Sequence, residues 1–196
     1  MRIGLTLTAT AVVVICVAVG IAGYFAFRTP NSPPAAPQAT MAANIGKFTA
    51  VSPPLPAPGG AFQGRDGKDR HLADFRGHWL LVNLWATWCA PCIKEMPSLA
   101  RLHAKLGTAL DVIAISEDRN GGKAVERFLG GHAITGLAIG LDPKGHLTDA
   151  LHVEGLPTSL LVDPQGRIVA KLEGGTEWDR DPTLAELQGM IASPRP

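Results

Sequence analysis

Residues 83–97 read NLWATWCAPCIKEMP, and the fold turns on what surrounds Cys89 and Cys92. Before them, HWLLVNLWA (78–86) is a nearly continuous apolar run bounded by Gly77, the pattern of a strand buried on both faces. After them, Ile93, Met96, Leu99, Leu102 and Leu106 recur at steps of three and four, which predicts a helix over 90–106. Cys89 therefore stands where a strand ends and a helix begins, the usual place for chemistry in an open α/β sheet.

The flanking sequence extends this unit. AFQGRDGKDRHL (61–72) predicts a hairpin turning at Asp66–Gly67. LDVIAIS (110–116) is a second buried strand, GKAVERFLG (122–130) an amphipathic helix, LAIGLD (137–142) a third strand, and residues 147–151 a short helix. TSLLVDPQGRIVAKL (158–172) reads as a hairpin turning at Pro164–Gln165–Gly166, and a last helix spans 182–192 with Asp181 as its cap. This order implies an α/β fold with a central mixed sheet flanked by helices.

The amino-terminal part differs. Ile3 to Phe27 carries no charged residue, and an apolar helix of about 20 residues crosses a bilayer. A cleaved signal peptide usually has an apolar core of only about 7–15 residues, so residues 1–28 are expected to be an uncleaved transmembrane anchor. Cys16 lies within the span, and Ile15 before it does not suit a lipoprotein processing site. Arg2 and Arg28 flank the run evenly, so charge bias barely decides; with almost no N-terminal domain to translocate, an N-in signal-anchor is the simplest orientation. It puts the rest of the chain outside the cytoplasm, on the periplasmic side of a bacterial inner membrane. Residues 29–60 hold eight prolines in RTPNSPPAAPQAT and VSPPLPAPGG, the composition of a semi-rigid Pro/Ala-rich linker, with MAANIGKF (41–48) as a short helix inside it. The folded domain is expected at 61–196. Apart from the two flanking arginines, 16 basic residues face 17 acidic ones, which gives no footprint for nucleic acid.

Three chemistries compete for Cys-x-x-Cys. Zinc needs two further ligands at short spacing, and the chain has three cysteines and no paired histidines. Copper held by the two thiolates remains open, although a dedicated carrier usually adds a His or Met. A structural disulfide closing so small a loop stabilises little. Thiol–disulfide exchange explains the position: a thiolate at a helix N-terminus meets unpaired N–H groups and the positive end of the macrodipole, which lower its pKa. Cys89 is the expected nucleophile and Cys92 the resolving cysteine. Pro91 suits the first helical turn, where no N–H is needed.

LVNLWATWCAPCIKEMPSL resembles the active-site strand and helix of the thioredoxin superfamily. With ADFRGHWLLVNLWATWC, GLPTSLLVDPQGRIVA and GGTEWDRDP, the likeness runs through 61–196 and is strongest to the membrane-anchored TlpA/ResA/CcmG group, TlpA above all. The resemblance implies a protein-disulfide reductase whose redox group is the Cys89–Cys92 disulfide, with no further cofactor. It implies that Pro157 is a cis-proline facing the cysteines, and that Leu156 offers backbone groups to an incoming peptide as an extra strand. Trp88 is expected to pack beside the nucleophile, and Trp85 to serve the core. Thioredoxin has a buried aspartate where this chain has Asn83, so the proton of Cys92 needs another route. The resemblance places that service in the loop holding Glu117 and Asp118, with Asp118 favoured. Glu177 and Trp178 match a TlpA-like feature and are read as packing.

Ala90–Pro91 lacks the histidine of strong oxidants, which favours a reductase. The resemblance implies cysteine-containing periplasmic partners: a copper chaperone or cytochrome oxidase subunit before an apocytochrome c. It also implies a membrane thiol electron donor. A disulfide oxidant or isomerase, or a non-catalytic Cu(I)-binding protein on the same fold, are the competing readings.

Overall fold

The computed structural model describes residues 40–45 and 48–193. The expected anchor, residues 1–28, lies outside them, as does the start of the expected linker. The fold is the expected mixed sheet with helices on its faces. Among the described residues its nine strands are β1 (Thr40–Ile45), β2 (Phe48–Pro56), β3 (Ala61–Gly64), β4 (Asp69–His71), β5 (Leu80–Trp85), β6 (Asp111–Ser116), β7 (Ala138–Leu141), β8 (Thr158–Val162) and β9 (Arg167–Glu173), in the order β1-β2-β9-β8-β5-β6-β7-β3-β4. The helices are α1 (Ala90–Leu106), α2 (Gly122–Gly131), α3 (His146–Ala150) and α4 (Thr183–Ala192).

Central strand β5 is buried at every position, runs parallel to β6 and antiparallel to β8. Its alternate residues divide between two cores, as the two-residue period of a strand requires. Leu81 and Trp85 join Met96, Leu99 and Leu102 of α1 and Leu184 and Leu187 of α4. Leu80, Val82 and Leu84 meet Phe62, Ile113 and Leu147 on the other face.

Three sequence expectations need correction. The domain does not begin at Ala61: β2 pairs antiparallel with β9 at Thr49–Lys171, Ala50–Ala170, Leu55–Ile168 and Pro56–Arg167, and Phe48 is fully buried. The prolines that suggest a spacer explain why. Pro53 and Pro54 lie in the irregular stretch between the two paired segments, where a missing N–H breaks no ladder bond. The stretch 41–48, expected as a short helix, instead supplies most of β1, the strand next to β2, and the first residue of β2. At the other end, α4 begins at Thr183 with Pro182 as its cap, and Asp181 makes no capping hydrogen bond to it.

Candidate active site

Cys89 is the N-cap of α1, with extended backbone, and its sulfur accepts from the Cys92 N–H at 3.3 Å. The chain reaches this position through a tight turn, the Cys89 N–H donating to the Ala86 carbonyl. Pro91 occupies the first turn and gives up no needed donor. The two sulfurs are bonded, with Cα atoms 5.2 Å apart. Cys89 retains 6% of its exposure and Cys92 none, so an external thiol or disulfide meets Cys89 first. Trp88, expected beside the nucleophile, immediately precedes Cys89 on the turn before the helix and is 69% exposed. Trp85 is buried against Phe128, ring centroids 5.0 Å apart.

The Leu156–Pro157 peptide is cis, as the resemblance implies. Register places Thr158 opposite Leu84, near the end of β5 from which the cysteine turn departs. The Pro157 carbonyl accepts from the Gly174 N–H at 2.9 Å. Next to it, Gly175 approaches the cysteine helix so closely that a Cβ there would lie 3.2 Å from the Pro91 carbonyl oxygen. Leu156 and Pro157, with Glu154, Glu173 and Gly174, line an open cavity of about 260 Å³.

Asp118, the favoured proton relay, is occupied otherwise. Its Oδ1 accepts from the Thr87 hydroxyl, and its Oδ2 accepts from the Thr87 N–H at 2.8 Å and the Ser116 hydroxyl at 2.7 Å. The two bonds to Thr87 fix the turn leading into Trp88 and Cys89, and the Ser116 hydroxyl holds the Asp118 side chain in place, so the geometry makes Asp118 a clamp. Glu117 is half-buried, and its Oε1 has no hydrogen-bond partner among the described residues. Burial, and then the charges of Asp142 and Asp149, push its carboxyl up to about 7.

The acid that the sequence reading missed is Glu95. It lies three residues beyond Cys92 on the buried face of α1 and is only 2% exposed. Its Oε1 accepts from Asn83 Nδ2 at 2.8 Å; its Oε2 accepts from the Thr176 N–H at 3.0 Å and Trp178 Nε1 at 3.2 Å. Burial raises its carboxyl to about 7 against the lowering effect of these three donors. Asn83 thus stands where thioredoxin has an aspartate, and hands its amide to an acid on the facing helix. Glu95 borders a cavity of about 350 Å³ shared with Pro91, Lys94, Gly175, Thr176 and Glu177. The available signal was a charge at the i+3 step from Cys92, in register with the apolar stripe. A buried carboxyl titrating near neutrality one turn from a cysteine is able to take and return a proton near pH 7.

Comparison with known proteins agrees with this architecture. Residues 54–171 match the profile of the AhpC/TSA family. The thiol–disulfide oxidoreductase ResA of Geobacillus thermodenitrificans is 33% identical over 137 residues, 68% of this chain and 75% of that protein. ResA of Bacillus subtilis is 30% identical over 121 residues, covering 60% and 65%. ResA of Bacillus thuringiensis is 33% identical over 110 residues, 62% of its length, so this chain spans less than two thirds of several such relatives. Among solved structures, one described as the thiol:disulfide interchange protein DsbE of Chlorobium tepidum superposes with a TM-score of 0.62 at 25% identity, covering 71% of this chain and 97% of that one. StoA of Bacillus subtilis, at 23% identity and a TM-score of 0.55 over 70% of this chain and all of its own, shares the fold. The chain belongs to the AhpC/TSA family, among its thioredoxin-like members related to ResA.

Proposed function

We propose that this chain is a periplasm-facing protein-disulfide reductase, held at a bacterial inner membrane by residues 1–28. The observation that carries the reading is Cys89 at the cap of α1 with Cys92 buried beneath it and Glu95 on the same helix face. In the dithiol form, the Cys89 thiolate attacks a substrate disulfide; one substrate sulfur leaves as a thiol and Cys89 holds the other as a mixed disulfide. Cys92 then passes its proton to Glu95 and attacks Cys89 Sγ. The second substrate thiol leaves, and the Cys89–Cys92 disulfide is complete, two electrons having moved to the substrate. A membrane thiol donor restores the dithiol by the reverse exchange.

Pro157 and Leu156 border the cavity beside this end of the sheet, where an extended substrate segment fits along the Leu156 backbone ahead of β8. Exposed Trp88 supplies apolar surface next to the reacting sulfur. The reductive direction is supported by the Ala90–Pro91 spacer. Copper chaperones and cytochrome oxidase subunits are the favoured substrates on the TlpA-like GGTEWDRDP segment, with apocytochrome c next.

The test is the reduction potential of the full-length chain, titrated in a dithiothreitol buffer. A midpoint below roughly −220 mV supports a reductant; one near about −120 mV makes the protein a disulfide donor and sinks the proposal.

A further inference from the structure

The segment after β9 read as ordinary packing, yet it meets the cysteine helix at several points. The Trp178 backbone N–H donates to Ser98 Oγ at 3.1 Å, and that hydroxyl donates to the Glu95 carbonyl at 2.8 Å. The indole N–H of Trp178 donates to Glu95 Oε2, and the Thr176 N–H reaches the same oxygen. Trp178 is fully buried, with Phe48 of β2 packed edge-on against its ring at 6.2 Å. The Thr176 and Thr183 hydroxyls share a hydrogen bond of 3.0 Å, which ties the segment to α4.

We propose that Trp178 is a positioning residue for the exchange reaction: its indole N–H, with the Thr176 amide, holds one oxygen of Glu95 while Asn83 holds the other, and so decides how readily Glu95 takes the proton of Cys92. The inference rests on the exchange reading above and adds a control element to it. The physical argument is the direction of each contact. An N–H donor stabilises the carboxylate and disfavours the neutral acid. Against burial, which favours the neutral acid, the indole keeps Glu95 able to ionise near pH 7. From the sheet, Glu95 faces Asn83, whose Nδ2 also donates to Ser159 Oγ at 2.9 Å. Around the adjoining cavity the charged groups are Lys94 on α1 and Glu177 on the loop, the latter 3.9 Å from Arg101. The groups that shift Glu95 are the three neutral donors, so loss of one is expected to move its titration without a compensating charge.

The test follows the resolving step alone. The reduced full-length chain is mixed with 5,5′-dithiobis(2-nitrobenzoate). Cys89 releases the first aromatic thiolate and forms a mixed disulfide; Cys92 attack on Cys89 Sγ releases the second and leaves the intramolecular disulfide. The rate of the second release is recorded from pH 5 to 9. In Trp178→Phe the pH midpoint should rise by about one unit, making the step roughly tenfold slower at pH 6 and little changed at pH 9. In a Glu95→Gln background, Trp178→Phe should cause no further shift. Replacement of Trp178 by benzothienylalanine keeps the ring shape and lacks the N–H, so it should reproduce the Phe profile and covers the case of a poorly folded Phe variant. An unmoved midpoint in the benzothienyl variant, or a shift that persists without Glu95, overturns the inference while the reductase reading stands. If the unaltered chain releases no second thiolate at any pH, the exchange reading fails and takes the inference with it.

Discussion

Two buried carboxylates approach the cysteine turn, and they differ in what their neighbours ask of them. Asp118 is surrounded by donors from its own strand end and from Thr87, and its three hydrogen bonds engage the Thr87 N–H, the Thr87 hydroxyl and the Ser116 hydroxyl. Glu95 is held by donors from the sheet and from the loop after β9, distant in sequence, and burial leaves it poised near pH 7. Proximity to a catalytic cysteine therefore does not make an acid a proton carrier. A carboxylate fully engaged in fixing a turn is a structural part; one whose charged and neutral forms are nearly balanced is a chemical one.

The largest effect tests the frame in which both acids are judged. Cys89→Ser should lower disulfide reduction by at least about 10³-fold, since it removes the nucleophile. Cys92→Ser should instead trap the substrate on Cys89, visible as added mass that a reductant removes. If Cys89→Ser retains activity, neither acid has the role assigned to it.

Asp118→Ala removes the acceptor of one buried donor, the Ser116 hydroxyl, and of two on half-buried Thr87, and should destabilise the fold by about 2 kcal/mol in urea unfolding. The milder Asp118→Asn should lower stability while leaving the pH midpoint of exchange where it was. A shifted midpoint in Asp118→Asn, with none in Glu95→Gln, would reverse the two roles.

A smaller effect separates the acids by pH. Glu95 titrates at about 7 in the fold against an ordinary 4.5, so the folded chain holds a proton that the unfolded chain has already lost between those values. Its contribution is complete below about pH 4.5 and is lost as pH rises through 7, at most about 3 kcal/mol. Glu117 adds to the same trend, less strongly because it is half exposed. Glu95→Gln should flatten most of this slope and gain about 1 kcal/mol at pH 8, the gain limited because an amide satisfies the three donors less well. Urea midpoints at pH 4.5, 6 and 8 decide it; equal slopes in both proteins would break the contrast. The control is Arg65→Ala. Its bidentate pair with Glu126, at 2.6 and 2.7 Å, is solvent-exposed, and its loss should cost about 0.5 kcal/mol or less at any of these pH values.

What the sequence disclosed follows from the range of the interactions. The β5–α1 unit was legible because a buried strand and an amphipathic helix each carry a local period. The β8–β9 hairpin was legible because Pro164–Gln165–Gly166 marks its turn. Strand β2 was not, since it is held by β9 more than 110 residues away and its own composition resembles a tether. Glu95 was missed for a similar reason: its helix period puts it on the buried face, but its donors come from residues 83, 176 and 178. Asp118 was noticed, and only its contacts with Thr87 and Ser116 reveal that it is a clamp.

Strand β2 also sets a limit on shedding. Cleavage after residue 60 would strip β9 of its neighbour, bare a row of unpaired backbone groups and remove Phe48 from the ring of Trp178. The liberated piece would then be prone to stick to other open strands, and its loop against Glu95 would lose support. A protease that frees an intact folded domain must therefore cut ahead of Phe48, which makes β2 part of that domain.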